Sequence, residues 1–292
     1  MTRSGLELVK TSPSSNAGPP KRSTTARVGL VSSHSRCGRV RKPLVVGNWK
    51  MNTTQAEATA LIQSLLPQVS PVVESVDIVV CPPFPWLTDV ARLLTGSGVV
   101  LGAQNVHSEA SGAYTGEVSA RMLKGVCQYV LVGQYERRIL SSEKDAIVRR
   151  KLLAAQQHAL TPILCVGEDA NQLDEGLGAY IVAEQIEADL DGASLDDPLV
   201  IAYDPAWTTM GLVAPPPVSY AGEIVAHMRE TLASLFSPRV AEQARLIYGG
   251  SVNPRNIAKI AAEDGIDGVL TGAASLNAAN FTTIVRAFAR PG

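Results

Sequence analysis

Eight short, nearly continuous apolar runs punctuate this chain, and segments with helical spacing separate them. The runs read LVVGNWK (44–50), VDIVVCPPF (76–84), VVLGAQNV (99–106), YVLVGQYE (129–136), PILCVGE (162–168), LVIAYDPAW (199–207), RLIYGGSV (245–252) and DGVLTGAAS (267–275). Runs with no polar alternate face belong to strands buried on both sides, as in parallel sheets. Between them, Ala58, Leu61, Ile62 and Leu65 form one helical stripe, with Thr54 and Glu57 at capping-box spacing ahead of it. Phe281, Ile284, Val285 and Phe288 form another, and Asn253-Pro254 reads as an N-cap with a first-turn proline. Eight strand–helix repeats in about 250 residues predict a single α/β domain closed as a (β/α)8 barrel. A doubly wound open sheet is the alternative; it usually carries Gly-x-Gly-x-x-Gly after its first strand, and none follows the first run here.

A barrel of this kind builds its site at the C-terminal strand ends. Those ends carry Asn48 and Lys50, Gln104 and Asn105, Gln134 and Glu136, Glu168, Asp204, Ser251 and Gly272, too many polar groups for packing alone to explain. The seventh and eighth runs end in YGGSV and TGAAS. Small residues let backbone N–H groups approach an anion, and the loops after these two strands are the usual phosphate site of the architecture. Strand alternation would put Asn48 and Lys50 on one face, with Glu136 as a partner for the lysine. Asp204 admits two readings: a carboxylate raised in pKa against Trp207 and acting as a base, or a cap on the turn before the next helix.

Composition narrows the function classes. The formal net charge of −1 gives no sign of nucleic-acid binding, and no apolar run is long enough for a bilayer. The four cysteines, Cys37, Cys81, Cys127 and Cys165, show no CxxC spacing and read as reduced thiols in a cytoplasmic protein. Residues 1–42 stand apart, rich in Ser, Thr, Pro and Gly, with nine basic residues against the single acid Glu7. They read as a disordered extension or as an upstream start wrongly assigned to the gene; a targeting segment is the third reading, since they are basic and Ser-rich like a transit peptide but show no strong amphipathic helix. Beyond them the balance reverses, to 17 basic against 26 acidic residues.

Longer motifs add a family resemblance. GNWKMN (47–52), AQNVHSEASGAYTGEVSARMLK (103–124), ERR (136–138), TPILCVGE (161–168), IYGGSVNP (247–254) and IDGVLTGAASL (266–276) resemble triosephosphate isomerase from about residue 43 to 290. The resemblance implies a TIM barrel over 43–292, a homodimer and no cofactor or metal. It also implies a cytoplasmic role in glycolysis and gluconeogenesis, interconverting dihydroxyacetone phosphate and glyceraldehyde 3-phosphate through an enediolate. By motif, Asn48 and Lys50 would contact substrate, and Glu136 would pair with the lysine. Ser251, Gly272 and Ala273 would bind phosphate. GAYTGE, with Thr115, would reach a neighbouring subunit.

Three departures fall on the chemistry. Where the family has Gly-His-Ser-Glu, this chain has Gly133-Gln134-Tyr135-Glu136, so an amide replaces the electrophilic histidine. An amide can polarise a carbonyl but cannot relay a proton as imidazole can. The family's glutamate base is Asp204, shorter by one methylene. The lid segment TTMGLVAPPP (208–217) keeps Gly211 for phosphate and gains three prolines. The expected catalytic set is thus Asp204, Gln134 and Lys50. Tyr135 is expected either to hydrogen-bond Asp204, to act as a weak acid, or only to fill space. An isomerase of reduced activity is the leading reading, and a non-catalytic paralogue that keeps the phosphate site is the alternative. Phosphate elimination to methylglyoxal is a third outcome if the lid admits water.

Overall fold

Every run folds as a strand, and every strand is shorter than its run. The computed structural model describes residues 41–196, 198–209 and 217–289. Gly211 and residues 1–40 of the extension lie outside the described residues. The strands are β1 Leu44–Asn48, β2 Asp77–Cys81, β3 Val99–Ala103, β4 Tyr129–Val132, β5 Thr161–Val166, β6 Val200–Tyr203, β7 Arg245–Tyr248 and β8 Gly268–Thr271. They pair in parallel, in sequence order, and β1 also pairs with β8, which closes the barrel. Closure depends on Gly268: at φ 153° it lies so near β1 that a β-carbon would stand 1.8 Å from the Leu44 carbonyl oxygen.

Alternation divides each apolar run between two cores. Leu44, Val46, Val79, Leu131, Ile163, Cys165, Val200, Ala202, Ile247 and Leu270 pack together inside the barrel. Val45, Ile78, Val80, Val130, Val132, Leu164, Ile201, Leu246 and Val269 pack outward against the helices. Both faces are therefore apolar, which is why the runs show no period-two pattern.

Thr54 caps the helix Gln55–Val69 with the reciprocal bonds its spacing predicts, Thr54 N–H to Glu57 and Glu57 N–H to Thr54. Asn253 behaves differently from the N-cap expectation. Its side chain accepts from Arg255 N–H in a turn, and the helix Ile257–Ala261 begins only after Asn256. At the opposite end from the site, Arg41 and Arg229 pair with Asp267, while Lys42 and Arg245 pair with Asp77. Arg41 and Lys42, grouped with the extension on composition, thus engage barrel carboxylates.

Candidate functional site

The polar strand ends converge because each lies at the last residue of its strand, as Asn48 does in β1, or just beyond it. Asp204 follows β6 by one residue and continues its inward alternation after Val200 and Ala202. Its N–H still bonds the Val166 carbonyl of β5, at 2.8 Å. The carboxylate is buried and faces across the barrel, where Gln134 Nε2 donates to its Oδ2 at 2.8 Å. That geometry selects the buried-carboxylate reading over the turn cap. Burial pushes the Asp204 carboxyl up to about 7; Lys50 opposes, Glu136 adds to the rise, and a bond from the Tyr135 main-chain N–H opposes.

Gln134 arrives by a kink rather than along a strand. Gly133, at φ 75°, ends the β4 direction, and the helix Tyr135–Leu140 starts directly after Gln134. The expected strand run to residue 136 therefore stops at Val132, and Glu136 sits in a first helical turn. Gln134 is buried, and Asn48 Nδ2 donates to its Oε1 at 2.7 Å. Its Nε2 also donates to Cys165 Sγ at 3.3 Å. The amide expected to face a substrate carbonyl thus directs both N–H groups at protein acceptors.

Lys50 departs from the alternation argument. β1 ends at Asn48, and Lys50 takes a left-handed conformation, φ 52°, that a non-glycine residue adopts only under constraint. The constraint is visible. Asn48 Oδ1 accepts from Lys50 N–H at 2.9 Å, and Gln104 Nε2 donates to the Lys50 carbonyl at 2.8 Å and to the Cys81 carbonyl at 2.9 Å. The turn aims the ammonium across the mouth to an ion pair with Glu136. Gly272 leaves room for the stem, since a β-carbon there would lie 3.3 Å from Lys50 Cε.

Lys50, Gly250, Ser251, Gly272 and Ala273 line one cavity of about 600 Å³, with Trp49, Asn52, Asn253 and Asn280 on its walls. The Ser251 carbonyl is held by Asn256 Nδ2 at 2.6 Å, and Thr271 Oγ1 donates to the Val252 carbonyl at 3.3 Å. These bonds fix the two loops and leave a concave, glycine-rich wall suited to an anion. Asn105 has a different task from the other strand ends: it accepts from the buried Lys151, which pairs with Glu143.

Tyr135 meets Asp204 through its backbone only. The phenol lies in a separate cleft with Arg138, Ile139, Gly167 and Asp169, where burial, then Asp169 and Glu136, raise its pKa. The phenol–carboxylate bond weighed from the sequence is replaced by the main-chain contact. Thr115 is exposed on the 109–117 loop, beside the His107–Tyr114 ring contact at 4.3 Å. His107 is thereby committed to that loop and not to the catalytic mouth.

Two further residues carry weight that the sequence reading did not assign. Glu168 is wholly buried, and its Oε1 accepts from Tyr203 Oη at 2.8 Å, Trp207 Nε1 at 3.2 Å and Tyr220 Oη at 3.3 Å. It anchors the β6 segment that bears Asp204. Its place at a strand end was the available signal. Gly249 continues the inward side of β7 and lies against Asp204; only the fold could reveal that pairing.

Comparison with known proteins agrees with this geometry. The sequence model of the family described as triosephosphate isomerase matches residues 43–288. The triosephosphate isomerase of Thermoanaerobacter pseudethanolicus is 43% identical over 249 residues, covering 84% of this chain and 99% of the relative. That of Chloroflexus aurantiacus is 45% identical over 250 residues, with 84% and 99% covered. The crystal structure of triosephosphate isomerase from Bartonella henselae superposes with a TM-score of 0.77 at 32% identity, covering 86% of this chain and all of that one. With eight parallel strands closed in order and the family model matched along the whole barrel, the chain belongs to the triosephosphate isomerase family.

Proposed function

We propose that this protein is an aldose–ketose isomerase that interconverts dihydroxyacetone phosphate and glyceraldehyde 3-phosphate, with a rate lowered by its two replaced side chains. The observation that carries the reading is the convergence of a buried, proton-hungry Asp204 and the Lys50 ammonium beside a glycine-rich cavity. Asp204 removes a proton from the hydroxyl-bearing carbon next to the carbonyl and returns it to the former carbonyl carbon, while the hydroxyl proton of the first carbon passes to the oxygen of the second, so that the new carbonyl forms as the old one becomes a hydroxyl. Lys50 and Asn48 stabilise the enediolate formed between those steps. The Ser251 and Gly272–Ala273 loops hold the phosphate, and Gly211 is assigned to the same group. Glu136 orients Lys50.

The test is solvent exchange. The full-length protein, with the Arg41 and Lys42 ion pairs intact, is incubated with dihydroxyacetone phosphate in D2O, and loss of the reacting C–H is followed by NMR. Exchange above an Asp204→Ala control is expected; none would reject the isomerase reading for this substrate and favour a non-catalytic phosphate binder. Methylglyoxal in the same tube would show elimination competing with return of the proton.

We further assign a cytoplasmic homodimer acting in glycolysis. Among the described residues no helix is long and apolar enough to cross a membrane, and Cys81, Cys127 and Cys165 are free buried thiols. Exposed Met51, Tyr114 and Met122, with Thr115 on a hollow of about 630 Å³, support a self-association face. Light scattering should give twice the chain mass, falling to one chain mass for Thr115→Arg.

A further inference from the structure

We propose that Gln134 is a positioning residue for the base: an amide clamp that holds the Asp204 carboxylate inside the barrel and leaves carbonyl polarisation to Lys50. This deepens the isomerase reading and rests on it for the identity of the base. The argument begins with donor counting. A carboxamide has two N–H donors and one oxygen. The oxygen accepts from Asn48 Nδ2 at 2.7 Å, one N–H reaches Asp204 Oδ2 at 2.8 Å, and Cys165 Sγ lies 3.3 Å from the same nitrogen. Turning the amide over would set oxygen against carboxylate oxygen and N–H against N–H, so both ends lock its orientation. No donor is left for a substrate oxygen unless a bond to the protein is given up.

Side-chain lengths point the same way. Aspartate carries its carboxylate on a single methylene, so Asp204 cannot project far from β6. Its Oδ1 sits over Gly249, where a β-carbon would come within 3.1 Å. Glutamine, with two methylenes, spans the remaining gap from the Gly133 kink. The two departures from the family motif are therefore one coupled change, a long amide meeting a short acid. Among the described residues, Lys50 is the cation that remains, brought to the mouth by its left-handed turn and tied through Asn48 to the same chain of bonds.

The experiment compares wild type with Gln134→Leu, which removes the donors at similar size, and with Gln134→Glu, which sets a second carboxyl beside the first. Aspartate is labelled with 13C at Cγ, and the Asp204 signal is identified by its loss in Asp204→Asn. Among the described residues, the charged or titratable groups around that carboxyl are Lys50, Glu136, Cys165 and Tyr248, and both variants leave them unchanged. In Gln134→Leu the Asp204 midpoint should rise by about one pH unit, the scale of one charge-assisted hydrogen bond. In Gln134→Glu it should rise further, through like-charge repulsion. The acid limb of kcat/KM should move with it. The infrared carbonyl band of bound dihydroxyacetone phosphate should keep its wild-type frequency in Gln134→Leu. An unmoved Asp204 midpoint, or a carbonyl band shifted to higher frequency, overturns the clamp; the second result returns Gln134 to the carbonyl. The titration requires no turnover, so it still tests the clamp if wild-type protein exchanges no substrate proton, a result that would reject only the isomerase reading.

Discussion

Gly249 lies directly against Asp204, with no side chain between the end of β7 and the carboxylate. A β-carbon at 249 would stand 3.0 Å from Asp204 Cβ and 3.1 Å from its Oδ1. The backbone of Gly249 is not left-handed, so the glycine is required by space and not by torsion. Gly249→Ala should therefore shift the carboxylate while the fold survives. Overpacking of this kind costs about 1–3 kcal/mol, and a displacement of about 1 Å in a reacting group can cost about 100-fold in rate. At 3.0 and 3.1 Å the carboxylate need give by only a few tenths of an ångström, so the expected result is a loss of proton exchange of about tenfold, below that limit, with a far-UV spectrum like the parent's.

Asp204 also sets a pH dependence. A base must be ionised to work, and burial holds this carboxyl up to about 7. The rate kcat/KM should climb with pH through about 7 and level above it. Stability should run the other way. The folded carboxyl keeps its proton well above the ordinary value near 4, so its contribution is present at low pH and lost as pH rises through about 7. Asp204→Asn keeps an acceptor for Gln134 and removes the charge. Its melting temperature should exceed the parent's at pH 8, and the excess should vanish toward pH 4.

Glu168 should prove a stability residue as well as a support for β6. Glu168→Ala leaves Tyr203, Trp207 and Tyr220 without their shared acceptor. Tyr203 and Trp207 are buried, and buried orphan donors cost about 1–3 kcal/mol each, so urea unfolding should show a loss of at least about 2 kcal/mol. Tyr220→Phe removes only the longest of the three bonds and should lose about 1 kcal/mol or less. Equal losses in the two variants would contradict a single shared anchor.

Arg138 is bonded to Asp145 at 2.5 Å and to the wholly buried Asp189 at 2.6 Å. It also reaches the Gly133 carbonyl at 2.9 Å, where the kink begins. Burial raises the Asp189 carboxyl even with the guanidinium beside it. Arg138→Met removes the partner and strands that carboxylate, a change that typically costs about 3–5 kcal/mol. The loss should be largest at pH 8 and shrink toward pH 5, where Asp189 takes up a proton and no longer needs the cation. Unfolding curves at the two pH values check both size and direction.

Much of this protein was legible before any coordinates. The eight runs, the helix stripe from Ala58 to Leu65 and the Thr54 cap follow from local patterning and arrive in the structure as read. The motifs also placed Asn48, Lys50, Gln134, Glu136 and Asp204 at strand ends, and these residues do meet at one mouth. Periodicity failed at the boundaries. A run such as YVLVGQYE looks uniform, but Gly133 turns left-handed and ends the strand before the polar residues begin. Asn253 likewise looked like a cap and serves a turn.

The sequence by itself determined the number of strands, their two-sided burial and the residue types at the mouth, because each depends on neighbours a few positions apart. Only the tertiary structure decided what those residues do to one another. Gln134 and Asp204 are 70 positions apart, Asn48 and Gln134 are 86 apart, and Lys50 and Glu136 are also 86 apart. Barrel closure brings them within bonding distance. Whether an amide faces a substrate or clamps a carboxylate then depends on donor directions and side-chain reach, and these are fixed only once the strands are in register.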